Sequence, residues 1–438
     1  MLSQNSLITT SSRLVYHQAA SLLLFQSVLD NEIGNNFIYL LQTLNNKDGK
    51  EYSQQTAAVN CLDAYGKLFK ALATKNQSWQ DYLVSQILVN DNPFSYQVQE
   101  KAIDELSPAL IEATKQDLKT LQQLYNCNTQ QLSQWVEIAA QLPESLVHWH
   151  SENKINSIFN SHENWEDALE DLAKYYKEKG TGIFAKYYAF TWHNDEFVGI
   201  NNPDPITLDE IVGYETQKQT LIKNTQFLLN GYKALNTLLY GSRGSGKSSL
   251  VKGLLHAYYD QGLRVIEVNK FQLKYLPLMM EKLSHQPQKF IIFVDDLSFE
   301  DDDEAFKALK VFLEGNLTAR SENVVIYATS NRRHLVREFF ADRPRPLDQD
   351  EIHSWDTLQE KLSFSDRFGL TLTFEAANQD TYLTIIHHLA QLENINLSQE
   401  KLDFQAKQWA TRHNGRSGRT ARQFIDFLKA ELSLNNQS

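Results

Sequence analysis

The feature that most constrains the fold is the octapeptide GSRGSGKS at Gly241–Ser248, which directly follows the apolar run Leu235–Tyr240. It satisfies the pattern G-x-x-x-x-G-K-[ST], which forms a phosphate-binding loop when a strand precedes it and a helix follows. Its glycines let the backbone turn tightly and aim N–H groups at phosphate oxygens, while the helix presents its positive end to the anion. The pattern therefore predicts a nucleoside triphosphate site rather than an ordinary glycine-rich turn.

The residues of this loop differ in their expected chemistry. Lys247 supplies a positive charge for the β- and γ-phosphates, and the Ser248 hydroxyl is a ligand for Mg²⁺. The predicted nucleotide-binding residues of the loop are Gly241, Ser242, Arg243, Gly244, Ser245, Gly246, Lys247, Ser248 and Ser249. We therefore expect ATP as the ligand and Mg²⁺ as its cofactor.

An acidic pair follows the apolar run Phe290–Val294 and supplies the second part of the predicted site. A buried strand that ends in a carboxylate can hold that group rigidly beside bound phosphates, as phosphoryl-transfer sites require. The sequence therefore predicts Asp295 as a Mg²⁺ ligand together with Ser248.

The chain has 438 residues, a length that favours two or three compact units. The period of its hydrophobic pattern changes along the chain. Residues 1–182 show helical stripes and predict a mostly α-helical N-terminal domain of unknown role. Apolar alternation over Phe184–Trp192 and a turn after it predict a β-hairpin and linker at 183–205. The capping-box spacing from Thr207 to Glu210 predicts the start of a helix.

Beyond residue 205, apolar runs alternate with helical stretches. This pattern predicts an α/β fold at 206–375, a three-layer αβα nucleotide-binding domain with a five-stranded parallel sheet. The expected strands are Leu235–Tyr240, Arg264–Val268, Phe290–Val294, Val324–Ala328 and Leu370–Phe374. Residues 376–438 lose the strand pattern and predict a small helical lid.

Composition narrows the range of partners and compartments. A net charge of −12 and a pI near 5.5 disfavour whole-surface binding to nucleic acid, although a local basic face stays possible. The two cysteines, Cys61 and Cys127, fit no metal-binding spacing and suit a reducing compartment. The first residues lack a secretion signal, and the apolar run Leu22–Phe25 is too short to span a bilayer. We expect a cytoplasmic protein without a membrane segment.

With these pieces in order, Ile206–Leu432, roughly half the chain, resembles the AAA+ ATPases. The segment IVGYE at Ile211–Glu215 resembles the stretch that packs around adenine in that superfamily, which implies nucleotide contacts from Val212 and Gly213. Members of the superfamily hydrolyse ATP and commonly assemble with nucleotide, so the resemblance implies a nucleotide-dependent homo-oligomer.

The resemblance also implies two catalytic residues beside Asp295. Asp296 occupies the place where AAA+ enzymes usually carry a glutamate that polarises the attacking water, and aspartate is one methylene shorter. The sequence therefore supports ATP binding more strongly than ATP hydrolysis. Asn331, at the end of VVIYATSN, stands where the sensor of the γ-phosphate is expected.

Arginines supply the remaining implied roles. In SDRFG, Arg367 resembles the arginine finger that reaches into a neighbouring subunit's site, with Arg320 as a weaker alternative. The segment RSGRTARQF resembles the second sensor motif, in which Arg419 would point at the nucleotide. Arg416 or Arg422 could take that role instead.

More narrowly, four segments together resemble a bacterial family of predicted ATPases known as domain of unknown function 815. They are DPITLDEIVGYE, FVDDLSFE, YATSNRRHL and LSFSDRFGL. This resemblance implies a nucleotide-driven machine with an unidentified protein client.

Four functions fit these residues. The first is an enzyme, a Mg-ATP-dependent AAA+ ATPase that releases ADP and phosphate. The second is a slow or non-hydrolysing switch or loader, related to helicase loaders or transposition helpers. The third is a polypeptide-threading remodeller that uses Phe271 and Tyr275, although we expect Phe271 to pack on the sheet with Leu273 and Leu276. The fourth is action on DNA through the lid arginines.

Overall fold

The computed structural model describes residues 2–45, 54–151, 157–299, 304–314, 322–331, 364–413 and 415–435. The chain divides into two compact units, residues 1–186 and 187–438. Each unit has its own buried apolar cluster among these described residues.

The first unit is helical, as the sequence predicts. Its helices are α1 (Leu2–Ala20), α2 (Glu32–Asn45), α3 (Gln54–Lys75), α4 (Trp79–Leu88), α5 (Pro93–Glu100), α6 (Pro108–Asn126), α7 (Thr129–Ala140), α8 (Leu169–Lys179) and α9 (Gly182–Lys186). Trp79 stacks on Phe37 in the core at a ring-centroid distance of 3.9 Å. The buried carboxylate of Asp117 accepts hydrogen bonds from the backbone N–H groups of Leu23, Leu24 and Phe25. These bonds give the buried carboxylate the partners that it needs away from water.

The second unit is built on one sheet. Its strands are β1 (Ala189–His193), β2 (Glu196–Gly199), β3 (Thr237–Gly241), β4 (Leu263–Val268), β5 (Lys289–Val294), β6 (Val324–Ser330) and β7 (Leu370–Phe374), in the spatial order β2-β1-β4-β5-β6-β3-β7. All neighbours pair in parallel except β1 and β2, which form an antiparallel hairpin.

The sheet therefore has seven strands, and the predicted number of five is wrong. The five expected strands are all present, but the hairpin of the predicted linker adds two more because β1 pairs in parallel with β4. Asn194 and Asp195 both have positive φ at the hairpin turn, the conformation that matches the twist of two-residue hairpins. Phe190 of β1 is fully buried, so the pairing of β1 with β4 extends the hydrophobic core.

Helices cover the sheet and form a separate bundle at the C-terminus. They are α10 (Glu215–Leu229), α11 (Lys247–Tyr258), α12 (Leu276–Ser284), α13 (Glu304–Glu314), α14 (Gln379–Leu392), α15 (Gln399–Arg412) and α16 (Gly418–Asn435). The last three share a buried cluster that includes Tyr382, Ile386, Ala406 and Ile425. The parallel strands β3, β5 and β6 end at the same edge of the sheet, and the predicted site residues follow those ends.

Three local predictions differ from the structure. The strand expected from Phe184 begins only at Ala189, after the short helix α9. The capping box of Thr207 and Glu210 forms, but it opens a single 3-10 turn. Phe271 is 67 % exposed rather than packed on the sheet, whereas Leu273 is buried.

None of the helices in the described ranges combines the length and the apolar character that a membrane crossing requires.

Candidate nucleotide-binding site

The phosphate loop lies between β3 and α11, in the strand-to-helix context that the motif requires. Gly244 and Gly246 have φ values of +73° and +89°, a left-handed conformation that glycine adopts without a steric penalty. The Lys247 ammonium donates hydrogen bonds to the carbonyl oxygens of Gly241 at 2.9 Å and Ser242 at 2.7 Å. Burial lowers the pKa of Lys247, and the nearby carboxylate of Asp295 opposes this effect. The lysine charge is thus held inside the loop by backbone carbonyls.

Gly241 fixes the loop to the sheet. Its φ is +135°, and a Cβ at this position would lie 1.9 Å from the carbonyl oxygen of Phe374 in β7. The next residue, Ser242, donates its backbone N–H to the same oxygen at 2.8 Å. Only glycine permits this approach of the two backbones, so the loop begins from a fixed point on β7.

Two oxygen-bearing side chains meet where α11 faces the end of β5. The Ser248 hydroxyl donates to Oδ1 of Asp295 at 2.6 Å. Hydroxyl and carboxylate oxygens are the ligands that a hard cation such as Mg²⁺ prefers beside phosphate groups. The donor set that the sequence predicts for Mg²⁺ is therefore assembled here, and its chemistry fits the ion.

The second acidic residue contacts the next strand. Asp296 has a φ of +50°, uncommon for a residue other than glycine, and its Oδ1 accepts a hydrogen bond of 2.6 Å from the Asn331 amide. The Thr329 hydroxyl donates to Asp295 and accepts from the backbone N–H of Asp296 at 2.9 Å. The ends of β5 and β6 thus hold both carboxylates in one network.

The C-terminal bundle contacts the tip of the phosphate loop. The backbone N–H of Arg419 donates to the carbonyl of Gly244 at 3.1 Å. A Cβ at Gly244 would lie 2.9 Å from the Ser417 hydroxyl and 3.2 Å from Cβ of Arg419. Ser417 also accepts from the backbone N–H of Thr420 and so caps α16. The N-terminus of α16, which carries the positive end of the helix dipole, therefore adjoins the loop.

The three arginines of this segment have different partners. Arg419 lines the cavity, and its charge contributes to the lowered pKa of Lys247. Arg416 donates to the side-chain oxygen of Gln379 at 3.0 Å. Arg422 bonds the carboxylate of Glu210 and thereby joins α16 to the 3-10 turn before α10.

The site encloses a cavity of about 600 Å³. Its polar wall consists of Arg243, Gly244, Ser245, Gly246, Lys247, Ser248, Ser249, Asp295, Asp296, Thr329, Asn331 and Arg419. Its apolar wall consists of Ile206, Ile211, Val212, Ile385 and Leu389, and Glu210, Gly418, Arg422 and Gln423 complete the lining. One wall suits phosphates and a cation, and the other suits a flat apolar ring.

Four predicted residues do not line this cavity. Gly241 and Ser242 begin the loop and accept hydrogen bonds from Lys247 through their carbonyls. Gly213, with a φ of +88°, packs against Thr381 of α14. Arg367 lies in a 3-10 turn before β7 and is absent from the cavity lining. The alternative finger Arg320 falls outside the described residues.

Sequence reasoning missed several lining residues, chiefly Thr329, Glu210 and the apolar pair Ile385 and Leu389. The sequence offers one signal for Thr329, its position two residues before Asn331. This signal is weak, because a threonine in a strand belongs to no distinctive motif. The apolar pair belongs to the same stripe that packs the C-terminal bundle, so periodicity alone favoured a core role.

A protein-family model described as "Protein of unknown function (DUF815)" matches residues 185–432, more than half of the chain. The chain belongs to this family. The predicted resemblance to the DUF815 family is thereby confirmed. The matched residues of this DUF815 protein include every residue that lines the cavity.

Solved structures with detectable similarity to the DUF815 protein include RuvB from Thermotoga maritima. Two RuvB mutants are each 16 % identical over 53 % of this chain, with 67 % and 68 % of their own chains covered and TM-scores of 0.37. A third structure, titled the Thermotoga maritima RuvB Holliday junction branch migration motor, is 14 % identical over 51 % of this chain and 72 % of its own, with a TM-score of 0.32. No curated protein matches the sequence.

Proposed function

We propose that this protein is a Mg-ATP-dependent AAA+ ATPase that hydrolyses ATP to ADP and phosphate. One observation carries the proposal: a single cavity brings together the phosphate loop, the carboxylates after β5, Asn331 after β6 and Arg419 of α16. The cavity pairs these charged groups with an apolar wall, the combination that a nucleotide needs for its phosphates and its base.

In this proposal each wall has a distinct task. The adenine lies between Ile211 and Val212 on one side and the apolar residues of α14 on the other. The phosphates accept hydrogen bonds from the loop N–H groups, and Lys247 exchanges its carbonyl partners for phosphate oxygens. Ser248 and Asp295 hold Mg²⁺, which neutralises phosphate charge when bound.

The chemical step is an in-line displacement. The water oxygen forms a bond to the γ-phosphorus, the bond from that phosphorus to the β–γ bridging oxygen breaks, and ADP leaves. Asp296 accepts the water proton, Asn331 orients the water, and Arg419 stabilises charge on the transferring group. Asn331 and Arg419 act electrostatically, through donor groups that already lie near the phosphate loop.

A second candidate is a nucleotide-gated switch or loader with negligible turnover. The hydrogen bond from Asn331 to Oδ1 of Asp296 favours it, because this bond already fills an acceptor site that a general base would offer to the water proton. In this function ATP binding would order an assembly, and hydrolysis would reset it slowly.

Single-turnover hydrolysis separates the two functions. Wild-type protein would be compared with the Asp296→Glu and Lys247→Ala variants, with ATP affinity measured for each. The enzyme proposal expects wild-type hydrolysis well above that of Lys247→Ala. A wild-type rate equal to that of Lys247→Ala, with ATP affinity intact, would leave only the switch.

The remaining assignments are parts of the same proposal. Residues 376–438 act as a lid, residues 206–375 form the nucleotide-binding domain, and residues 1–182 attach an unidentified protein client. Arg367 acts in a neighbouring subunit's site of a nucleotide-dependent homo-oligomer. The protein works in the cytoplasm without a membrane partner, and the net charge of −12 disfavours a primary nucleic-acid partner.

A further inference from the structure

Thr329 bonds three successive residues at the end of the neighbouring strand. Its hydroxyl donates to Oδ1 of Asp295 and accepts from the backbone N–H of Asp296 at 2.9 Å. Its carbonyl accepts from the backbone N–H of Leu297 at 2.7 Å. The side chain is 2 % exposed and lines the cavity, so these bonds form away from bulk water.

The direction of these bonds follows from the chemistry of a hydroxyl, which has one proton and two lone pairs. Because the N–H of Asp296 donates to the oxygen, the single hydroxyl proton is available for the carboxylate of Asp295. Ser248 donates to the same Oδ1 at 2.6 Å. Two hydroxyl protons on one oxygen fix the orientation of the Asp295 carboxylate.

The same hydroxyl supports an unusual backbone. Asp296 has a φ of +50°, a conformation that persists in a residue other than glycine only where its surroundings impose it. The bond from its N–H to Thr329 and the bond from Asn331 to its carboxylate are two such constraints. The Thr329 hydroxyl thus bonds both the carboxylate of Asp295 and the backbone of Asp296.

We propose that Thr329 is the positioning residue of this site, and that its hydroxyl orients Asp295 toward Mg²⁺ and Asp296 toward the attacking water. This inference rests on the proposed function and adds a residue that acts through two others. If Thr329 merely filled space at the strand end, valine would serve equally well there, because the two side chains have nearly the same shape.

The test compares Thr329→Val, which keeps the shape without the hydroxyl, with Thr329→Ser, which keeps the hydroxyl without the methyl. ATP affinity of the full chain is measured in EDTA and across a Mg²⁺ titration. Groups that orient metal ligands typically change metal affinity by about 10–100-fold when they are lost. We expect the valine variant to need about 10–100-fold more Mg²⁺ for half-maximal effect, with its affinity in EDTA unchanged. The serine variant should stay within about threefold of wild type, well below that range.

Two results would overturn the role of Thr329: a valine variant with the wild-type Mg²⁺ midpoint, or a serine variant as impaired as the valine one. If the valine variant does not fold, Thr329→Cys, with a weak donor in place of the hydroxyl, replaces it and should show an intermediate midpoint. Failure of the proposed function is distinguishable, because it would appear as a wild-type single-turnover rate no higher than that of Lys247→Ala, whereas the role of Thr329 is read from the Mg²⁺ midpoints of ATP binding.

Discussion

The side-chain amide of Asn331 donates a 2.6 Å hydrogen bond to the carboxylate of Asp296. The two residues follow adjacent parallel strands, β6 and β5, so the sheet itself sets their separation. In the proposed reaction Asn331 must serve both this carboxylate and the water or γ-phosphate. Its amide can do both, because it carries two N–H protons and one acceptor oxygen.

Replacing the amide with a carboxylate should therefore impair the site through charge. Asn331→Asp places two carboxylates at hydrogen-bonding distance, which raises the pKa of one of them and repels the γ-phosphate. We expect ATP affinity to fall by about tenfold or more, because like charges about 4 Å apart near a protein surface repel by a few kcal/mol. Asn331→Ala is the control, because it removes the donor without adding charge and should slow single-turnover hydrolysis by about 10²-fold while ATP still binds. Equal ATP affinity for both variants would contradict the charge argument.

Gly241 should be intolerant of any side chain, because its Cβ would lie 1.9 Å from the Phe374 carbonyl oxygen. We expect Gly241→Ala to destabilise the second unit by about 3 kcal/mol or more, from overpacking added to left-handed strain. Gly262→Ala is a matched control, since Gly262 has a φ of +91° and nothing within 4 Å of its Cβ position. It should cost only about 1 kcal/mol. Thermal unfolding of both variants measures the difference, and similar midpoints would show that β3 and β7 can separate at this point.

The parts of the site that the sequence predicts are those encoded by short patterns. The phosphate loop needs only a strand, an eight-residue pattern with four specified positions and a helix, so its residues are readable in order. Asp295 is readable because it directly follows the apolar run Phe290–Val294 of β5. By contrast, the role of Thr329 depends on the register of β6 against β5, and the partner of Arg422 lies more than two hundred residues away in sequence. Local patterns carry no information about either pairing.

Two of the differences between the predicted and the observed fold also depend on information that a local pattern lacks. The hairpin was readable from alternation and its turn, but nothing local shows that β1 pairs with β4 and widens the sheet. Phe271 lies in a 3-10 helix, Lys270–Tyr275, which has three residues per turn. A stripe counted at the α-helical period therefore assigned Phe271 to the buried face, and the tighter helix turns it toward solvent.

Arg419 should discriminate between ATP and ADP, because it is the arginine of its segment whose charge reaches Lys247. We expect Arg419→Ala to weaken ATP binding by about 10–100-fold, the range for a lost hydrogen bond to a charged group, and ADP binding much less. Arg416→Ala is the matched control, since the Arg416 guanidinium donates to Gln379, and it should leave both affinities within about twofold because exposed pairs contribute little. Calorimetric titration of both variants and of wild type with ATP and with ADP measures these affinities. An equal loss for ATP and ADP would place Arg419 near the β-phosphate or the base instead.

Arg367 stands outside the cavity of its own chain, so its proposed action requires a second subunit. If it reaches a neighbour's γ-phosphate, Arg367→Ala and Lys247→Ala should each abolish hydrolysis. Arg367→Ala should still assemble with a non-hydrolysable ATP analogue, and Lys247→Ala should enter the same assemblies when the two are mixed, as light scattering would show. Mixing the two inactive variants in equal amounts should restore about a quarter of the wild-type activity. In a head-to-tail assembly about half of the sites have an intact Lys247, and about half of those face a neighbour's intact Arg367. Mixing Lys247→Ala with a Lys247→Ala/Arg367→Ala double variant is the control and should restore nothing, since no site then has the lysine. Assembly without any recovery in the first mixture would mean that Arg367 acts within its own chain or not at all, and a strict monomer would exclude the trans role.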